Sequence, residues 1–316
     1  MTFAPRLLQC SADTLAQLSI LCGLPVQSTK AARTQSLLDG LKIGAKLPTN
    51  MRVLAVDMGI KNFSYCQTVA KSKPTIEKWT KVDLNNEYGA TFKALTSDPS
   101  SLIDSRRYLS HLAYNIVSTI IKDKPHLIMV ETQRTRSNNM KSTLPNVLLN
   151  YTLENMIYAV LYTLKTDAVI IPMNANNMIS FWLNRFVDKK SLGSNPKKLR
   201  IKLAFEWLAR EDLRPFIFHN SLPPDFSSLS TPNKSRALLN TLQMSPKEKV
   251  DDLIDSLLYA LTANEIVANQ KKLARALEQD QDIAALVHEL NQNHLRLISR
   301  LAADGDVTLA KIYANM

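Results

Sequence analysis

The spacing of apolar positions along the chain changes period twice. The first fifty residues carry two short helical patterns, around residues 15–21 and 31–41, joined by the breaker Gly23-Leu24-Pro25. Ser28 and Thr29 stand before the second pattern as N-caps, and residues 42–50 read as a linker. From Met51 the period shortens to that of strands. "RVLAVD", "FSYCQTVA" and "TIEKWTKVDL" follow one another closely enough for an antiparallel meander. A helical pattern over residues 105–122, the apolar run "HLIMVE", a helical pattern over 144–164 and the run "AVIIP" then alternate. That order predicts an α/β fold in which parallel strands are added to the meander and helices flank the sheet.

Beyond it lie helical patterns at residues 178–186 and 197–210, and an irregular, proline-rich excursion over residues 214–249. A strong helix is expected over residues 249–268, followed by a helical and heavily charged remainder. The reading divides the chain into residues 1–49, 50–268 and 269–316.

Two of the predicted strands end in an acid. Asp57 terminates "VLAV" and Glu131 terminates "HLIMV". Taken singly, each suits a turn cap. Taken as neighbours in one sheet, two anions in a poorly hydrated place repel, at a cost of several kcal/mol unless a cation compensates. The helix "KVDDLIDSLLYAL" supplies more acid. At about 100° per residue Val250, Leu253, Ile254, Leu257 and Leu261 share one arc, and Asp251, Asp252 and Asp255 the opposite one. A solvated first turn favouring the helix dipole is the plain alternative for that motif. Hard divalent ions such as Mg2+ take oxygen ligands, and two of them about 3.5–4 Å apart activate water and stabilise the leaving oxygen of a phosphodiester.

Charge narrows the partner. The 316 residues carry a formal net charge of +11, which points first to nucleic acid and second to an anionic surface. Seven glycines are too few for several nucleotide-cradling loops. Cys10, Cys22 and Cys66 form no CxxC pair and read as reduced thiols, and the five histidines show no ligand spacing. No run of 18 apolar residues exists, so no membrane partner is expected.

"LAVDMGIKNFSYC", "IMVETQRTRS" and "KVDDLIDSLLYAL", in that order, closely resemble the fungal mitochondrial Holliday junction resolvases, cruciform-cutting endonucleases of the RuvC-like branch of the RNase H fold. The resemblance covers about residues 52–268. It implies an RNase H-like mixed sheet and a structure-selective endonuclease that resolves four-way DNA junctions as a homodimer. Asp57, Glu131, Asp252 and Asp255 would be catalytic and, with Asp251, would hold two Mg2+ ions, for which Mn2+ can substitute. The match leaves open which of Asp251 and Asp252 ligates. Products with 5′-phosphate and 3′-hydroxyl ends are implied, as is mitochondrial placement, since Arg6 with no acid before Asp13 is only a faint transit pattern. The first 49 residues resemble a SAP-type DNA-binding module, with Ser28 where that module carries a loop glycine.

The expected DNA contacts are Lys30 and Arg33 in that module, Gln133, Arg134 and Arg136 after Glu131, and Lys197, Lys198, Arg200 and Lys202 in a phosphate track with Lys189 and Lys190. Phe181 and Trp182 suit either stacking on unpaired bases or a core. Two alternatives stay open: an actin-like ATPase, whose second aspartate turn would be sought at Asp304-Gly305-Asp306, and a catalytically inactive DNA-binding protein.

Overall fold

The computed structural model describes residues 3–98, 101–133, 145–188, 196–305, 307–310 and 313. Five strands, β1 (Arg52–Asp57), β2 (Phe63–Val69), β3 (Thr75–Val82), β4 (Leu127–Glu131) and β5 (Val169–Met173), form one sheet in the order β3-β2-β1-β4-β5. The meander β1-β2-β3 is antiparallel, with Asp57 opposite Ser64. β4 runs parallel to β1, with Val56 beside Val130, and β5 runs parallel to β4. This is the meander with added parallel strands that the strand order predicts. β1 is buried from Val53 onward and β4 from Leu127 to Val130, which is why both read as continuous apolar runs: helices cover the two faces of the sheet.

The helices are α1 (Ala4–Gln9), α2 (Ala12–Leu21), α3 (Lys30–Ala45), α4 (Leu84–Tyr88), α5 (Leu102–Ile120), α6 (Pro145–Thr163), α7 (Ala175–Ile179), α8 (Pro196–Ala209), α9 (Thr231–Thr241), α10 (Asp251–Glu278) and α11 (Ile283–Ala303). One face of the sheet packs on α5 and α6, the other on α8 and α10. α10 lies across the sheet and is pinned to it by polar contacts as well as apolar ones. Trp79 Nε1 donates to the Leu253 carbonyl at 2.8 Å, Ser64 and Ser256 share a 2.8 Å hydrogen bond, and Asn264 Nδ2 donates to Thr68 Oγ1 at 2.8 Å.

A third core joins the two ends of the chain. Leu7, Leu15, Leu18, Leu21 and Leu37 bury against Leu273, Leu277, Ile283 and Leu290. Contact is close enough at Gly44 that a Cβ there would stand 2.6 Å from Gln270 Oε1. The first 49 residues share this core with the C-terminal helices, and the boundary drawn at residue 268 falls inside α10, which has no glycine or proline to stop it. The 214–249 segment is likewise more ordered than its prolines suggest. Ile217 bridges to Thr75, Phe216, Phe218 and Phe226 are buried, and Pro232 occupies the first turn of α9, where its missing N–H has no partner to lose.

Candidate active site

Alternation along the central strands decides where the acids go. Leu54 and Val56 of β1 enter the core beneath α5 and α6, whereas Val53 and Ala55 enter the core beneath α8 and α10. Asp57 continues the second series. In β4, Ile128 and Val130 take the first side and Leu127 and Met129 the second, which Glu131 continues. Parallel register then sets Asp57 and Glu131 side by side at the carboxyl ends of the two strands, on the α10 side.

Asp57 is 7% exposed. Burial pushes its carboxyl well above the usual range, and a hydrogen bond to Glu131, the charge of Glu131 and the charges of Asp255 and Asp252 push it further. Glu131 is held from two directions. Its Oε2 accepts from the Met58 main-chain N–H at 3.3 Å and from Gln133 Nε2 at 2.8 Å. Gln133 in turn donates its own main-chain N–H to Glu154 Oε2 at 2.8 Å.

The acids of α10 do not form the solvated face that helical periodicity suggests. From Leu253 to Asn264 every residue of the helix except Asp255 is buried, and Asp251, Asp252 and Asp255 remain half-buried at its start. Each meets a cation. Arg200 grips Asp255 with both prongs, Nε to Oδ1 at 2.7 Å and Nη2 to Oδ2 at 2.8 Å. Lys81, on β3, has a side chain 3% exposed and pairs with Glu248 at 2.8 Å and Asp252 at 3.3 Å. Lys197 pairs with Asp251. Burial raises Asp255 and Asp252 above the usual carboxylate range, although Arg200 and Lys81 respectively work against that shift.

Three residues of this neighbourhood escaped the sequence reading. Lys81 looks like one more exposed strand lysine until β3 meets α10. Glu154, 6% exposed, is a lone acid on the buried face of α6, and that mismatch was its visible signal. Tyr259, fully buried one turn beyond Asp255, feels Glu131, Asp57 and Asp255, and its hydroxyl finds no hydrogen-bond partner among the described residues.

The expected DNA contacts divide. Lys30 and Lys198 are exposed. Arg33 is occupied within its own module, donating to the main-chain carbonyls of Gln27 at 2.6 Å and Ala12 at 2.7 Å. Gln133, Lys197 and Arg200 face the acids as described, and Lys202 is half-buried on α8. Arg134, Arg136, Lys189 and Lys190 lie outside the described residues. Phe181 and Trp182 belong to the core, at 2% and 1% exposure, with Trp182 Nε1 donating to Thr262 Oγ1 at 2.8 Å. Asp304, the second turn required by an ATPase, instead caps the end of α11 and pairs with Arg300 at 3.1 Å.

Among the described residues, no three acids, histidines or cysteines are gathered closely enough to enclose a metal ion as they stand. The chemistry of the donors nevertheless suits one. Asp57 and Glu131 are adjacent oxygen donors, one buried and driven toward its neutral form, and the α10 acids are neutralised by side-chain cations that a divalent ion can replace.

A family model described as mitochondrial resolvase Ydc2 / RNA splicing MRS1 matches residues 53–273, more than half of the chain. The chain belongs to this family. The Ydc2 / MRS1 match contains all five acids and stops short of α11 and of the N-terminal helices. Among its relatives, the mitochondrial cruciform cutting endonuclease 1 of Schizosaccharomyces pombe is 30% identical over 205 residues, covering 61% of this chain and 74% of that protein. The mitochondrial cruciform cutting endonuclease 1 of Saccharomyces cerevisiae is 23% identical over 302 residues, covering 83% and 84%. The crystal structure of the yeast mitochondrial Holliday junction resolvase Ydc2 superposes with a TM-score of 0.54 at 23% identity, over 85% of this chain and 99% of that one, and shows the same fold.

Proposed function

We propose that this protein is a mitochondrial crossover junction endodeoxyribonuclease that resolves four-way DNA junctions. The family description joins a resolvase to an RNA splicing protein. The observation that favours cleavage is the convergence of Asp57, Glu131 and Asp255 on one side of the sheet, in a protein of net charge +11. Divalent cations held there, two Mg2+ or Mn2+, supply Lewis-acid activation of water and neutralise charge at the phosphate. Asp57, Glu131 and Asp255 would hold them, with a fourth carboxylate from Asp251 or Asp252.

The chain's own part is to hold those oxygens still. Gln133 and the Met58 N–H fix the rotation of Glu131, and Glu154 fixes Gln133. Lys30, Lys198 and the lysines of α8 meet the backbone of the junction arms, and hydrolysis leaves 5′-phosphate and 3′-hydroxyl ends.

A homodimer puts one such site on each of two opposed strands. Its interface is the first turns of α5 and α6. Leu102 is 72% and Leu148 58% exposed, beside a groove of about 960 Å3 lined also by Ile60, Leu109 and Leu149. Further along α6, Leu153, Ile157 and Leu161 are buried in the chain's own core, which favours the first turn.

The test is a labelled synthetic four-way junction incubated with the purified protein in Mg2+ or in EDTA, beside a linear duplex of the same sequence. Cleavage confined to the junction and to Mg2+ is expected. Binding without cutting in any divalent metal would leave the inactive DNA-binding alternative.

A further inference from the structure

Of the three cations on the α10 acids, Arg200 is placed differently. Lys197 is about half exposed, and Lys81 is shared among Glu248, Asp252 and the Lys249 carbonyl. Arg200 is 11% exposed along its side chain and commits two of its donors to a single partner, Asp255, one to each oxygen of that carboxylate. The residue stands on α8, whose Leu203, Ala204, Phe205, Trp207 and Leu208 are buried, and its charge is further held by Asp57. A guanidinium fork fits a carboxylate and a phosphodiester by the same pair of parallel hydrogen bonds.

A divalent ion that ligated Asp255 through the lone pairs Arg200 now holds would displace the guanidinium. The displaced guanidinium remains anchored beside the acids, where the scissile phosphate must lie. We infer that Arg200 exchanges partners: it neutralises Asp255 before metal binds, and on metal and junction binding it transfers its fork to the non-bridging oxygens of the scissile phosphate, becoming a catalytic residue. This rests on the nuclease reading above. It adds an antagonism between Arg200 and metal, because a cation that competes for Asp255 weakens metal binding to the free protein even though cutting depends on it.

Two measurements on wild type, Arg200→Gln and Arg200→Lys separate the outcomes. The first is Mn2+ binding to the DNA-free full chain, followed by electron paramagnetic resonance. Without the competing fork, Arg200→Gln is expected to bind Mn2+ about three- to tenfold more tightly. The second is single-turnover cleavage of the synthetic junction at saturating Mn2+. There Arg200→Gln is expected to fall by about 100-fold or more, with Arg200→Lys recovering part of the rate, as for loss of one transition-state donor. Mn2+ affinity unchanged or lowered in Arg200→Gln would overturn the exchange and leave Arg200 a structural support for Asp255. Cleavage at the wild-type rate would overturn its contact with phosphate. If Arg200→Gln does not fold, Arg200→Lys decides, since a fork reduced to one point charge must still bind Mn2+ more tightly and cut more slowly. Should wild type not cut at all, the nuclease reading fails, while the Mn2+ titration still reports on the competition.

Discussion

Asp57 and Glu131 stand side by side at the ends of neighbouring parallel strands, and burial, with Glu131 beside it, drives the Asp57 carboxyl toward its protonated form in the metal-free protein. Replacing that carboxyl by an amide keeps a donor toward Glu131 and removes the cost of protonating, on folding, a carboxylate that is ionised in the unfolded chain. Asp57→Asn is expected to abolish cutting, keep junction binding, and stabilise the metal-free protein by about 1–3 kcal/mol near neutral pH. Urea unfolding in EDTA reads the gain; a loss of that size would mean that the acid pair is not strained.

The same relationship sets a pH dependence. The folded-state pKa of Asp57 is raised, chiefly by burial, and those of Asp252 and Asp255 move the same way. Between the ordinary carboxylate range and the raised values the folded protein binds more protons than the unfolded chain. The stability this contributes is complete below that range and is lost as pH rises through the raised values. Melting temperature in EDTA should therefore decline from pH 5 toward pH 8, less steeply in Asp57→Asn. Saturating Mg2+ should restore it most at the alkaline end. A wild-type melting curve that rises with pH over this interval would contradict the site as described.

The strand-end acids were legible because an apolar run that stops at a carboxylate is a local signal. The sheet was legible for a related reason: "VLAV" and "HLIMV" have the continuous apolarity of strands covered on both faces. The ion pairs were not, because Lys81 and Asp252 are 171 positions apart and Arg200 and Asp255 are 55 apart, and no periodicity announces such pairs. α1 and α9 were missed because Pro5 and Pro232 look like breakers, yet each sits in a first turn. The acids of α10 lie opposite an apolar arc, a pattern that alone suits solvent equally well, and only the two strand-end acids pointed instead to a cleft.

Phe181 belongs to the core beneath α10, in edge contact with Trp182 at 5.1 Å and His294 at 4.8 Å. Phe181→Ala is expected to cost about 3–5 kcal/mol of stability. At a temperature where the variant is folded, its affinity for a junction should equal that of wild type. A selective loss of affinity without a loss of stability would restore the base-stacking role.

Deleting residues 1–49 uncovers Leu273, Leu277, Ile283 and Leu290, each worth about 1.5–3 kcal/mol when fully buried. The truncated chain is expected to melt far below the full chain or to aggregate, and differential scanning calorimetry measures this. A truncated protein that melts with the full chain would show the N-terminal helices to be an independent module.

We propose that one acid centre per subunit cuts one strand of a four-way junction. The most direct test is a supercoiled plasmid carrying an extruded inverted repeat, treated with wild type, with Asp57→Asn, and with mixed dimers of the two. In Mg2+ the wild type should give linear plasmid within the lifetime of one complex, the mixed dimer nicked circles, and the variant uncut circles, with nothing cut in EDTA. Linear product from Asp57→Asn, or from wild type in EDTA, would contradict the account.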